Sequence, residues 1–189
     1  MKKSLLVLGL ALASATPFAA SAADYVIDTQ GAHASINFKV SHLGYSYTIG
    51  RFNTFEGTFS YDPEAIDSSK VSVKVDTTSL DSNHAERDKH LRSADFIDAS
   101  KYPTATFVSK KVEDKGDGDI AITGDLTLHG KTKPVTIDAE FIGAGDDPWG
   151  GKRAGFQGET TLNLADFDIK AMGLVDKVEM HLYVEGIQQ

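Results

Sequence analysis

The side chains with chemistry to offer are few. His84 and Asp88 lie one helical turn apart in a charged stretch with His90 close by, a spacing that would let them share a metal ion or act as acid and base. Arg87, His90 and Arg92 in that stretch, and Lys152 and Arg153 far downstream, are of the type that grips a phosphate or phenolic head group, since arginine forks onto phosphate oxygens. The plainer reading of the first group is an exposed helix laced with ion pairs to Glu86, Asp88 and Asp95. Asp146 to Arg153 brushes against a phosphate-loop pattern, but aspartate stands where the first glycine is required and Arg153 replaces the serine or threonine. No Gly-x-Ser-x-Gly and no cysteine is present. These residues assign no catalytic group, metal or cofactor.

What must position them is a series of strands. Ala34 to Ser41 alternates Ala34, Ile36, Phe38 and Val40 against Ser35, Asn37, Lys39 and Ser41, the period of two that lays one apolar face on a sheet. The same alternation marks Asn53 to Tyr61, Val71 to Val75, Thr104 to Val112, Asp119 to His129, Pro134 to Ile142, Phe156 to Leu164 and Val178 to Val184. Turn residues separate them at Asp62-Pro63, Lys115 to Gly118 and His129-Gly130-Lys131, and Gly143 to Gly155 reads as a glycine-rich loop. Asn83 with Glu86 three positions on is a capping-box signature, so a short helix is expected over about 83–93. His42 to Phe52 is aromatic and glycine-bearing without a period, and reads as a lid or rim. Short connections and clean alternation favour an all-β fold, a single antiparallel barrel of about eight strands.

A barrel of that size is either packed solid or holds one guest. Ala34, Gly57, Ala105, Gly124, Ala139 and Gly158 all fall at inward positions, which removes volume from the interior. The expected wall is apolar: Phe38, Val40, Phe52, Phe55, Phe59, Phe107, Leu126, Leu128, Phe141, Phe156, Leu162, Leu164, Met180 and Leu182, with Tyr45 and Tyr47 of the lid stacking on the guest. Asp119 to His129, tilted as barrel strands are, gives a tunnel approaching ~28 Å, suited to a long chain. Burying a few hundred Å² of such a chain is worth several kcal/mol at about 25 cal/mol per Å², before ordering costs.

Met1-Lys2-Lys3, the apolar run Leu5 to Ala13 and Ala20-Ser21-Ala22 have the layout of a secretory signal peptide, which leaves residues 23–189 as one domain. With no cysteine in the chain, the periplasm of a Gram-negative bacterium is the expected compartment. Residues 23–189 carry 17 Lys and Arg against 27 Asp and Glu, a net −10 that excludes nucleic acid as a partner. No segment reaches the length of a membrane-spanning helix. An exposed edge or mouth leaves room for a homodimer.

Asn83 through Phe96, Tyr102 to Phe107, Gly124 to Leu128 and Asp146 to Phe156 together resemble the YceI-like family of periplasmic proteins, over essentially the whole mature chain. The resemblance implies a lipocalin-like barrel holding a polyisoprenoid chain in its lumen, for carriage, storage or buffering, with no established enzymatic activity. The alternative from the residues alone is a small periplasmic enzyme acting on a bound isoprenoid or amphiphile, with His84, Asp88 or His90 at the barrel mouth.

Overall fold

A computed structural model describes residues 22–189; the expected leader lies, but for its last residue, outside them. Eleven strands run as β1 (Ala23–Ile27), β2 (Ser35–His42), β3 (Ser46–Phe52), β4 (Phe55–Tyr61), β5 (Lys70–Asp76), β6 (Leu80–Asp81), β7 (Thr104–Gly116), β8 (Asp119–Leu128), β9 (Lys131–Asp146), β10 (Lys152–Asn163) and β11 (Lys177–Gln188). Among the described residues one α-helix, α1 (Ala85–Leu91), precedes β7, with short 3-10 turns elsewhere. β1 and β2, β3 and β4, and β5 and β6 each lie end to end. They therefore make three staves, and β7 to β11 make five more. Each stave pairs antiparallel with the next, and β11 closes the ring against both β1 (Val26↔Ile187) and β2 (Leu182↔Ile36). The all-β expectation of a closed eight-stave barrel with a short inserted helix holds.

Alternation decides which face is inside. On β8, Ile120, Ile122, Leu126 and Leu128 point inward, while Thr123 and Thr127 meet Thr136 and Thr132 of β9 on the outer face at 2.9 and 2.8 Å. His129 and Gly130 both take positive φ in the tight reversal that joins these strands, the conformation a two-residue hairpin turn demands. The glycine-rich segment is shorter as a loop than its composition suggests, because β9 runs on to Asp146 and β10 starts at Lys152.

Two local expectations are corrected. Residues 46–52, read as an aperiodic rim, form β3, hydrogen-bonded to β2 from Ile36↔Phe52 to His42↔Ser46. The helix is capped by His84 in place of Asn83: Nδ1 of His84 faces the Arg87 N–H at 3.2 Å, and Asn83 adopts a left-handed φ of 61°, donating its N–H to Asp81.

The two ends of the barrel differ. The far end is shut by aromatic rings: Tyr25 stacks on Phe59 at 4.8 Å, and Phe156 meets Phe59, Tyr61 and Phe141 at 5.1 to 5.5 Å. The helix end is roofed by α1, by Phe96 and Ile97, and by residues 164–176, whose Leu164, Phe167, Ile169 and Ala171 pack on Leu126, Leu128 and Val178. That last segment also fills a seam in the wall. The β9–β10 pairing stops at Glu159↔Asp138, beyond which Thr160 Oγ1 donates to the Thr136 carbonyl at 2.8 Å.

Candidate functional site

The barrel encloses a cavity of about 300 Å³, within the range of small-molecule sites. Its wall is almost wholly hydrocarbon. Ile122, Leu126, Leu128, Ile137, Met180 and Leu182 all point inward in a closed barrel yet are only half-buried, because the surface they keep open faces the lumen. Along β8 the lining positions run from Ile120 to Leu128, about 26 Å of strand and, at a tilt of roughly 40°, about 20 Å of axis. The ring cluster at the far end shortens the tunnel below the span of a whole strand.

Of the side chains expected on the wall, Phe38, Val40, Phe52, Phe55, Phe59, Phe107, Leu126, Leu128, Phe156, Leu162, Leu164, Met180 and Leu182 line this cavity. Three do not. Tyr45 is exposed in the turn between β2 and β3, and Tyr47 is exposed on the outer face of β3, where Lys39 lies 4.7 Å over its ring. Phe141 stacks on Tyr61 at 5.3 Å as part of the closed end. Leu91, Phe96, Ile97, Ile169 and Val175 also line the cavity and went unread, since they belong to α1 and the roof, which carry no strand period.

The inward glycines do not all hollow the barrel. A Cβ on Gly124 would lie 2.5 Å from the Val108 carbonyl oxygen and 2.6 Å from Phe107 Cζ, and one on Gly57 would lie 2.7 Å from Ile27 Cδ1. Those two glycines admit a neighbouring side chain against the backbone, so their missing volume is already filled. Gly158 is different: its nearest neighbour, Ile137 Cγ2, is at 3.0 Å and the next atoms are at 3.5 Å or more. Gly124→Ala is therefore expected to cost about 1–3 kcal/mol by overpacking, read as a lower urea midpoint at unchanged slope.

The proposed head-group side chains are committed elsewhere and lie at opposite ends. Arg87 donates through Nε to Ser82 Oγ at 2.7 Å, and Arg92 through Nη1 to the Leu80 carbonyl at 2.8 Å, tying the helix to β6. Asp88 is buried and accepts from the Ser82 N–H at 2.8 Å and from its hydroxyl. With His84 capping the helix and Asp88 closing this turn, neither is presented as a free metal ligand. His90 rests 3.5 Å from Asp95 and edge-on to Phe96. Lys152 is exposed beside Asp146 at the far end.

Arg153, also toward that end, anchors an outer-wall latch that sequence reading missed. Its Nη1 donates to Asp28 Oδ2 at 2.8 Å and to Glu185 Oε1 at 2.5 Å, and its Nε to Asp147 Oδ2 at 2.9 Å. This joins the β9–β10 turn to the break between β1 and β2. Asp28, His33 and Glu185 are ligand-type residues within 4.8 Å of one another, but the guanidinium already supplies their cation. Hydrogen bonds from His33, Arg153 and the Gly31 N–H pull the Asp28 carboxyl down to about 2. Asp28 is ionised in folded and unfolded chains alike above about pH 4, where the latch contributes fully. As pH falls from there toward 2 the unfolded chain takes up the proton first, and stability is lost. We expect a loss on the order of 1–2 kcal/mol over that window, discounted for screening at this near-surface site. It should be read as a drop in urea midpoint between pH 5 and pH 3 that Asp28→Asn reduces.

The family described as YceI-like domain matches residues 25–186. A UPF0312 protein of Vibrio campbellii is 69% identical over 189 residues, covering all of both chains, and one of Shewanella baltica is 59% identical over 191 residues with the same coverage. Among solved structures, a Campylobacter jejuni YceI protein superposes with a TM-score of 0.72 at 29% identity, covering 80% of this chain and 91% of that one. Burkholderia cenocepacia BcnA gives 0.74 at 24% identity, covering 84% and 98%. A domain from Saccharophagus degradans, described as polyisoprenoid-binding, gives 0.62 at 13% identity, covering 89% and 100%.

Proposed function

Because this chain belongs to the YceI-like family, we propose that it is a periplasmic lipid-binding protein that holds a long polyisoprenoid chain in its barrel lumen for carriage, storage or buffering. The observation that carries this reading is the lumen itself, an apolar cavity of about 300 Å³ extending along most of β8. An isoprenoid tail needs no polar partner, and a wall of Phe, Leu, Ile and Val removes its surface from water without leaving any buried hydrogen-bonding group of the guest unpaired. The description of the Saccharophagus domain as polyisoprenoid-binding supports the ligand class. The basic start, apolar run and small-residue site of residues 1–22 support export.

Organic extraction of protein purified from a Gram-negative host, followed by mass spectrometry, is expected to yield an isoprenoid. N-terminal sequencing of the osmotic-shock fraction is expected to begin near Ala23. No extracted isoprenoid, together with no binding of added polyprenol, would reject the ligand assignment; a precursor retained in the cytoplasm would reject the compartment. Incubated lipid should be recovered chemically unchanged.

A further inference from the structure

One stave of the barrel is built inside out. On β3, Ser46, Thr48, Gly50 and Phe52 share the face that carries Phe38 and Val40 of β2, while Tyr47, Ile49 and Arg51 take the outer face. β2 is paired to β11 only from Ser35 to Lys39, and β3 to β6 only at Arg51 and Phe52. Beyond those positions the two strands continue as a ribbon past the wall, at the helix end. Leu43 forms its tip, and Tyr45 is 88% accessible, more than the other exposed large apolar or aromatic side chains of the described residues. Met172 and Leu174, in the roof segment that covers the same end, are exposed as well. Six large apolar or aromatic side chains thus stand in water around the end of the lumen that is roofed by loops, opposite the end shut by rings.

Charge is divided between the same two ends. Followed round the barrel through the strand registers, the half nearer α1 comprises residues 35–54, 76–108, 124–136 and 160–182, with ten Lys and Arg and eleven Asp and Glu. The other half of residues 23–189 has seven and sixteen, and so carries nearly all of the net charge.

We infer that the helix end docks on a lipid bilayer, with the β2–β3 ribbon and Leu174 in the head-group layer. A surface bearing anionic lipid repels the far half and not the nearly neutral half, which orients the approach. Tyrosine, with an apolar ring and a polar tip, is the side chain enriched at that depth. A ribbon designed for a protein core would turn its aromatics inward; this one turns them toward the phase in which an isoprenoid tail resides. The inference rests on the lumen reading only for its purpose, not for its geometry.

The single tryptophan of the chain, Trp149, lies at the far end and makes the test directional. Tyr45→Trp in a Trp149→Phe background is expected to blue-shift on vesicles of phosphatidylethanolamine and phosphatidylglycerol at three to one, whereas Trp149 in the unaltered chain stays unshifted. Tyr45→Ser with Tyr47→Ser and Ile49→Ser should lower vesicle partitioning at least tenfold at unchanged melting temperature, and leave binding of detergent-delivered polyprenol as it was. A blue shift at Trp149 and not at position 45, no shift at either, or a triple variant that only converts a dimer to a monomer in sedimentation would each overturn the inference, the last by assigning the surface to a second copy. A shift at position 45 in a protein that binds no polyprenol would uphold docking and reject the lumen reading.

Discussion

A leucine at position 158 should weaken polyprenol binding at least tenfold while leaving the fold in place. The reason is local. Gly158 lines the cavity on β10, and a Cβ there meets nothing closer than Ile137 Cγ2 at 3.0 Å, a methyl that can turn aside. The rest of the new side chain would extend into a lumen of about 300 Å³ and occupy a substantial share of it. Ala105→Leu on β7, another cavity-lining strand, provides a second variant that blocks the same space through different neighbours. A solid core would respond in the opposite way, losing about 1–3 kcal/mol to overpacking and showing no effect on a guest it never held. Titration with polyprenol beside a thermal melt separates the two outcomes.

Removing the plug should have the larger effect on stability. Phe156 touches three rings, Phe59, Tyr61 and Phe141, which together close the far end. Phe156→Ala takes away the centre of that cluster, and truncation of a core phenylalanine costs about 3–5 kcal/mol. In a chain of this length that corresponds to a melting temperature lower by roughly 10 °C. A loss below about 1 kcal/mol would mean that the ends of the barrel are held by their hydrogen-bond ladders and not by the rings.

The strands were legible because their apolar residues face one side and their polar residues the other, and every stave that obeys this rule was read from its period. β3 escaped for the same reason in reverse. Tyr47 and Ile49 face out and Thr48 and Gly50 face in, so the segment shows no apolar core face. Its tyrosines do not reach the lumen. The wall residues on strands were likewise readable, whereas Ile169, Phe96 and Leu91 on the roof were not, since a turn that folds over a barrel end has no period to betray which side chain points down. The charged residues misled through chemistry that is general to them. An arginine suits a phosphate or a carbonyl equally well, and only the positions of the Leu80 carbonyl, Ser82 and Asp28 show that Arg92, Arg87 and Arg153 are spent on the protein itself. The glycines divide in the same manner: that Gly124 is filled by Phe107 and Gly158 is not becomes visible only when the strands are curved into register.

Native mass spectrometry of residues 23–189 titrated with a polyprenol puts the hollow interior to the proof. One chain should carry one lipid and no more, and the adduct should vanish in Gly158→Leu and Ala105→Leu. An adduct of variable stoichiometry that persists in both lumen-filling variants, or no adduct in the unaltered protein, would mean that the guest, if there is one, resides somewhere other than inside the barrel.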